Sequence, residues 1–129
     1  MNPEPIPAGI RHFILTQVDS IAHMEAWSML WREPDATWTA DQVAGRLYIA
    51  PAEAARVLER LVSQGLAQRR GKGYGWGPAS EALARQADEL ARLYASHLIP
   101  VTNLIHAKRD NRIQEFADAF KLRKKGDRT

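Results

Sequence analysis

Two arginines four residues apart, Arg56 and Arg60, are the residues of this chain best suited to chemistry at a distance. They lie in Pro51 to Gln64, where Ala54, Leu58, Leu61 and Val62 recur at helical spacing, with Val57 at the edge of that apolar side. The other side carries Glu53, Arg56, Arg60 and Ser63, with Glu59 flanking. A helix therefore projects the two arginines together. The guanidinium is a planar fork of donors, matched to paired acceptors such as the major-groove edge of guanine. Glu53 and Glu59 are close enough along the helix to pair with the arginines instead. A second basic group follows at Arg69, Arg70 and Lys72, and such side chains grip phosphate without reading sequence.

The elements that hold these residues follow from the surrounding pattern. Thr39 opens a short helix, and Gln42 three positions on completes a capping box. Val43, Leu47 and Ile49 can point inward. The turn is Tyr48-Ile49-Ala50; Ala50 has no side chain to cap with, but Pro51 is pre-set for a first helical position. Gly65 stops the second helix and Leu66 is its apolar plug. Gln68 to Gly77 then folds back on itself, with Gly71 to Gly73 free to take the positive φ of a tight hairpin. Tyr74 and Trp76 share one face of the returning strand, with Gly73, Gly75 and Gly77 on the other. These glycines do not form a nucleotide loop, because no Gly-x-x-x-x-Gly-Lys-Ser/Thr run precedes a helix.

The order helix, turn, helix, basic hairpin between Trp38 and Pro78 resembles the winged helix-turn-helix domains of bacterial transcription regulators of the MarR type. The string from Arg56 to Arg69 carries the likeness most closely, and residues 19–78 span it. The ending from Glu115 to Lys125 resembles the tails of small bacterial winged-helix proteins. Many helix-turn-helix relatives have a glycine or small residue near Tyr48 and Ser or Thr at Ala50, so this chain departs at both. The resemblance implies a mostly α (α+β) fold: a winged helix-turn-helix core, a two-stranded wing and long C-terminal helices. It implies a cytoplasmic, bacterial DNA-binding transcription regulator that acts as a homodimer on double-stranded DNA. Arg56 and Arg60 would then contact bases, and Arg69, Arg70 and Lys72 the backbone. The alternative is a winged-helix module that binds another protein and no DNA.

The flanks complete the organisation. Residues 1–18 are expected as an N-terminal arm, its Asn2–Gly9 start rich in proline and Ile10–Val18 ambiguous between helix and strand. Asp19 is the expected cap of a helix reaching about Arg32, with Ile21, Met24, Trp27, Leu30 and Trp31 inward. Glu33-Pro34 ends it. A long helix over residues 79–107, capped by Ser80, is kinked or split at Pro100. Its stripe Leu83, Ala87, Leu90, Tyr94, Leu98, Val101 and Ile105 is the expected dimer interface. Residues 108–129 form a basic helix and tail, with Ile113, Phe116 and Phe120 amphipathic and Lys121, Arg123, Lys124, Lys125 and Arg128 as an arm.

Composition bounds the rest. Of 129 residues, 45% are hydrophobic and 26% charged, which suits one globular domain with an extension. The net charge of +3 is uneven. Residues 1–50 carry three basic groups against six acids, residues 51–78 five against two, and residues 108–129 eight against four. That distribution favours an anionic partner. Cysteine is absent, so no disulfide or thiolate chemistry exists. No apolar run suggests a membrane span or signal peptide. His12, His23, His97 and His106 are scattered, without metal-ligand spacing, and no serine has a nucleophile signature. No cofactor or metal is expected, and the chain reads as a binding protein rather than an enzyme. Trp27, Trp31, Trp38 and Trp76 are expected as packing, although Trp27, Trp31 and Tyr94 could by analogy line a ligand pocket.

Overall fold

The computed structural model describes residues 6–126, with side chains as far as residue 119. The elements are α1 (Ala8–Gln17), α2 (Ile21–Arg32), α3 (Ala40–Leu47), α4 (Pro51–Ser63), β1 (Ala67–Arg70), β2 (Gly73–Trp76), α5 (Glu81–Ser96) and α6 (Leu98–Gly126). The helix-turn-helix is α3 and α4, and the wing is β1 and β2. The expected basic arm from Lys121 to Arg128, and Phe120, lie outside the described side chains.

Local chemistry fixes the helix-turn-helix. Thr39 accepts from the Gln42 amide at 3.1 Å, and the Gln42 side chain accepts from the Thr39 amide at 2.9 Å, closing the expected capping box. Tyr48 ends α3 in the left-handed region, at φ 57° and ψ 45°. An L side chain in that region costs about 1–2 kcal/mol. The ring is 94% exposed, so no packing offsets that strain. Tyr48→Gly is therefore expected to stabilise the fold by up to about 1 kcal/mol, once the greater freedom of unfolded glycine is allowed for. An unchanged or lower melting temperature would show that the ring has a role in the folded state.

α4 starts at Pro51 with no side-chain cap from Ala50. It ends in a Schellman motif: the Gly65 amide bonds Val62 O and the Leu66 amide bonds Leu61 O, both at 3.0 Å. Gly65 takes φ 79°, and Leu66 is buried beneath the helix end. Ala54, Val57, Leu58 and Leu61 are buried and Val62 is half-buried, so the inward face is the one the spacing predicts.

The hairpin pairs Arg70 with Gly73 across a two-residue turn, Gly71-Lys72. Of the glycines expected to turn it, Gly71 takes a positive φ and Gly73 lies in the strand. Trp38 adds a bridge to the wing: its amide and carbonyl each bond Tyr74 at 2.8 Å. The short extended piece before α3 thus serves as a third rung.

α1 is a helix, which resolves the ambiguity of Ile10–Val18. It is no free arm: Ile10, Phe13, Ile14 and Val18 are buried in the common core and pack towards α5 and α6. Ser20, not Asp19, caps α2, accepting from the His23 amide at 3.1 Å. Met24, Trp27 and Leu30 are buried, with Ile21 and Trp31 half-buried at the edges. Trp27 packs edge-on against Phe13, with ring centroids 5.8 Å apart.

The C-terminal region splits rather than kinks. α5 stops at Ser96, His97 leaves the helical region, and Pro100 becomes the third residue of α6. There its missing amide hydrogen costs nothing, because first-turn amides have no partner within the helix. α6 then runs unbroken through the expected boundary at 107/108. Lys108 is buried and donates to Val18 O at 2.7 Å, bonding the free carbonyl at the end of α1. Burial pushes its ammonium pKa down.

The stripe expected to pair two copies is largely covered by its own chain. Ala87, Leu90, Tyr94, Val101 and Ile105 are buried in the core, Leu83 is half-buried, and Leu98 is exposed. The 4-3 spacing marks a buried face, and it is α1, α2 and the packing of α5 on α6 that bury it. Among the described residues, the large apolar side chains left exposed on α6 are Leu98, Ile99, Ile113 and Phe116.

Candidate nucleic-acid interface

α4 is held by α2 and α3 on its apolar side, which leaves Arg56 and Arg60 on its outer face. Arg56 is exposed and has no ion pair among the described residues. Arg60 donates from Nε to Asp19 Oδ2 at 3.0 Å, with both side chains about two-fifths exposed. Neither glutamate of the helix pairs with them in the manner the spacing allows. Glu59 instead faces the wing. It accepts from Tyr74 Oη at 2.5 Å and from Arg69 through Nε, at 3.1 Å, and Nη2. The hydrogen bond from Tyr74, then that from Arg69, holds the Glu59 carboxyl below its ordinary pKa. The same bond raises the Tyr74 phenol, because the carboxylate favours its neutral, donating form.

The three wing bases therefore differ. Lys72 is exposed at the tip of the turn. Arg69 is exposed but tied to Glu59, which fixes the wing against α4. Arg70 is turned back towards the body: Nη1 donates to Pro34 O at 3.1 Å and Ala36 O at 3.2 Å, and Nη2 to Trp76 O at 2.7 Å. It stitches the wing to the loop before α3. The bare strand face at Gly75 makes room for it, since a Cβ there would overlap the Arg70 guanidinium.

A network absent from the sequence reading lies behind Arg60. His23 is buried, and its Nδ1 accepts from the Asp19 amide at 3.0 Å. Its Nε2 donates to Gln64 Oε1 at 2.8 Å, and Gln64 donates in turn to Gln17 O at 2.6 Å. One imidazole thus joins the ends of α1, α2 and α4. The ring must be neutral, because a second proton on Nδ1 would face the Asp19 amide hydrogen. Burial lowers its pKa below the ordinary value, against the opposing pull of Asp19 and the bond to Gln64, and with Arg60 and Lys108 adding to the lowering.

A folded-state pKa below the unfolded one means that the unfolded chain takes up the proton first. The stability contributed by neutral His23 is complete above the unfolded value of about 6.5 and is lost as pH falls from there towards the folded value. The melting temperature should begin to drop as pH falls below about 6.5, before most carboxylates titrate. His23→Gln should flatten that drop. An equally steep drop in the variant would assign it to other groups.

Trp27 and Trp31 are tied into the body by their indole N–H groups. Trp27 is fully buried and donates to Ala87 O at 3.3 Å, while Trp31 donates to Asp88 Oδ1 at 2.8 Å. Tyr94 donates to Glu25 Oε2, and burial with that bond raises its pKa. Trp27 and Tyr94 fill the interior rather than line an opening between them. Among the described residues no group of three His, Cys, Asp or Glu could hold a metal, and no helix is long and apolar enough to cross a membrane.

No protein-family model matches the chain, and no curated protein matches it. Solved structures similar to it include the MarR family protein Rv2887 of Mycobacterium tuberculosis, at 16% identity over 86% of each chain and a TM-score of 0.48. Rv1404 of Mycobacterium tuberculosis is 19% identical over 88% of this chain and 83% of that one, with a TM-score of 0.46. Wild-type ZitR of Lactococcus lactis is 17% identical over 79% of this chain and 71% of that one, with a TM-score of 0.42. By its own element order (α3, turn, α4, then the β1–β2 hairpin braced on Trp38) the chain is a winged helix-turn-helix protein.

Proposed function

We propose that this protein binds double-stranded DNA as a transcription regulator, with α4 in the major groove and the wing on the backbone. The observation that carries this is Arg56 and Arg60 side by side on the outer face of α4, opposite buried Ala54, Leu58 and Leu61. A helix so mounted can enter the groove while its scaffold stays outside. Lys72 at the wing tip is the main phosphate contact, with Arg69 beside it. Arg70 acts indirectly, by holding the wing to the body.

Two copies would place two reading helices about 34 Å apart on one face of the duplex. With most of the α5–α6 stripe buried in the chain, pairing falls to Leu98, Ile99, Ile113 and Phe116 on α6. Those same exposed side chains favour the second reading, a winged-helix module that binds a protein partner and no DNA.

The test is titration of the protein with genomic duplex fragments at about 50 and about 200 mM salt. Neutralising even two phosphates should weaken binding about tenfold between them. Absence of duplex binding at the lower salt would leave the interaction module.

A further inference from the structure

Resting on the DNA proposal, we propose that Asp19 is a positioning residue for Arg60, holding one edge of the guanidinium so that its other end meets a base. Asp19 Oδ2 takes only Nε, at 3.0 Å, and Arg60 Nη1 and Nη2 have no hydrogen bond among the described residues. The end of the fork that suits paired acceptors is left open. The carboxylate is itself well placed. Its residue sits between α1 and α2, with its amide bonded to His23 Nδ1. His23 is bonded to Gln64 at the end of α4, the helix that carries Arg60. The support and the arginine therefore belong to one rigid frame. Arg56 has no such partner among the described residues, so one arginine is held and the other is free.

The physical consequence is selective. A long side chain loses rotamer freedom when it binds, and holding it beforehand removes part of that loss in one geometry only. A half-exposed ion pair contributes little to folding stability. An anion beside the groove also repels phosphate, which lowers affinity for every sequence. Asp19 should therefore sharpen preference between sites while weakening indiscriminate binding.

The experiment measures affinity for a duplex selected by the wild type and for random duplex, using wild type, Asp19→Asn, Asp19→Glu, Arg60→Ala and the Asp19→Asn/Arg60→Ala double variant. Asp19→Asn should lower the selected-to-random ratio roughly fivefold, a fraction of a full base contact. Its affinity for random duplex should rise, and its melting temperature should barely change. Asp19→Glu keeps the charge but moves it, so the ratio should fall without that rise. It carries the test if Asp19→Asn does not fold. In the Arg60→Ala background Asp19→Asn should not change the ratio further. If wild type discriminates but neither Asp19 variant alters the ratio, or if the loss persists without Arg60, the positioning role is overturned and DNA binding stands. If wild type binds no duplex, both fall together.

Discussion

Leu61→Ala is expected to destabilise the protein by roughly 2–5 kcal/mol, the range for removing a buried leucine and leaving a cavity. Leu61 is fully buried on the inner face of α4, and its carbonyl also accepts the bond that closes the helix end. Ala54 and Leu58 share that face, and α2 and α3 pack against it. The side chain therefore supports the helix whose other side carries Arg56 and Arg60. For a chain of this size each kcal/mol lowers the melting temperature by roughly 4 °C, so a fall of about 8 °C or more should be seen. Val62→Ala, at a half-buried position, should cost clearly less. A melting temperature that barely moves for Leu61→Ala would mean that α4 buries another face.

Gly73→Ala is the second large effect. A Cβ at Gly73 would lie 2.7 Å from Thr37 Cγ2, 2.8 Å from Trp38 O and 3.0 Å from Trp38 C. Two of these are backbone atoms, so no side-chain rotation relieves the overlap. The extended piece before α3 must move, and its paired bonds to Tyr74 stretch. Forcing a methyl into such a space costs about 1–3 kcal/mol. The loss should also loosen the wing, because Tyr74 braces Glu59 and through it Arg69. Amide exchange at Trp38 and Tyr74 should accelerate more than exchange within α1. Uniform exchange rates with an unchanged melting temperature would show that the approach is not tight.

What the sequence conveys well is whatever chemistry acts within one turn. Thr39 and Gln42 satisfy each other three residues apart, so the start of α3 is legible from their types alone. Leu58 and Leu61 mark the inward side of α4, and Gly65-Leu66 marks its end. Partners across the chain are less legible. The Ala87 to Ile105 stripe states that a face is buried but not what covers it; α1 is part of that cover, and its short apolar run reads equally as helix or strand. Asp19 and Ser20 are both capping types, and only the geometry of the turn chooses Ser20. The candidate site divides the same way. Arg56 and Arg60 follow from helical period, whereas the Asp19–Arg60 pair spans 41 residues and carries no periodic signal. The inward turn of Arg70 could have been suspected from Gly75, whose bareness admits a long side chain across the strand.

In the proposed DNA complex, α4 reads bases while the wing tip grips phosphate. Binding of Arg56→Ala and Lys72→Ala to a selected site and to random duplex, across salt, tests this most directly. Arg56→Ala should lose about 1–3 kcal/mol on the selected site and flatten preference between sites. Lys72→Ala should weaken both duplexes alike and reduce the salt slope by about one. Equal behaviour of the two variants, or a wild type with no salt-dependent binding to any duplex, would contradict the account.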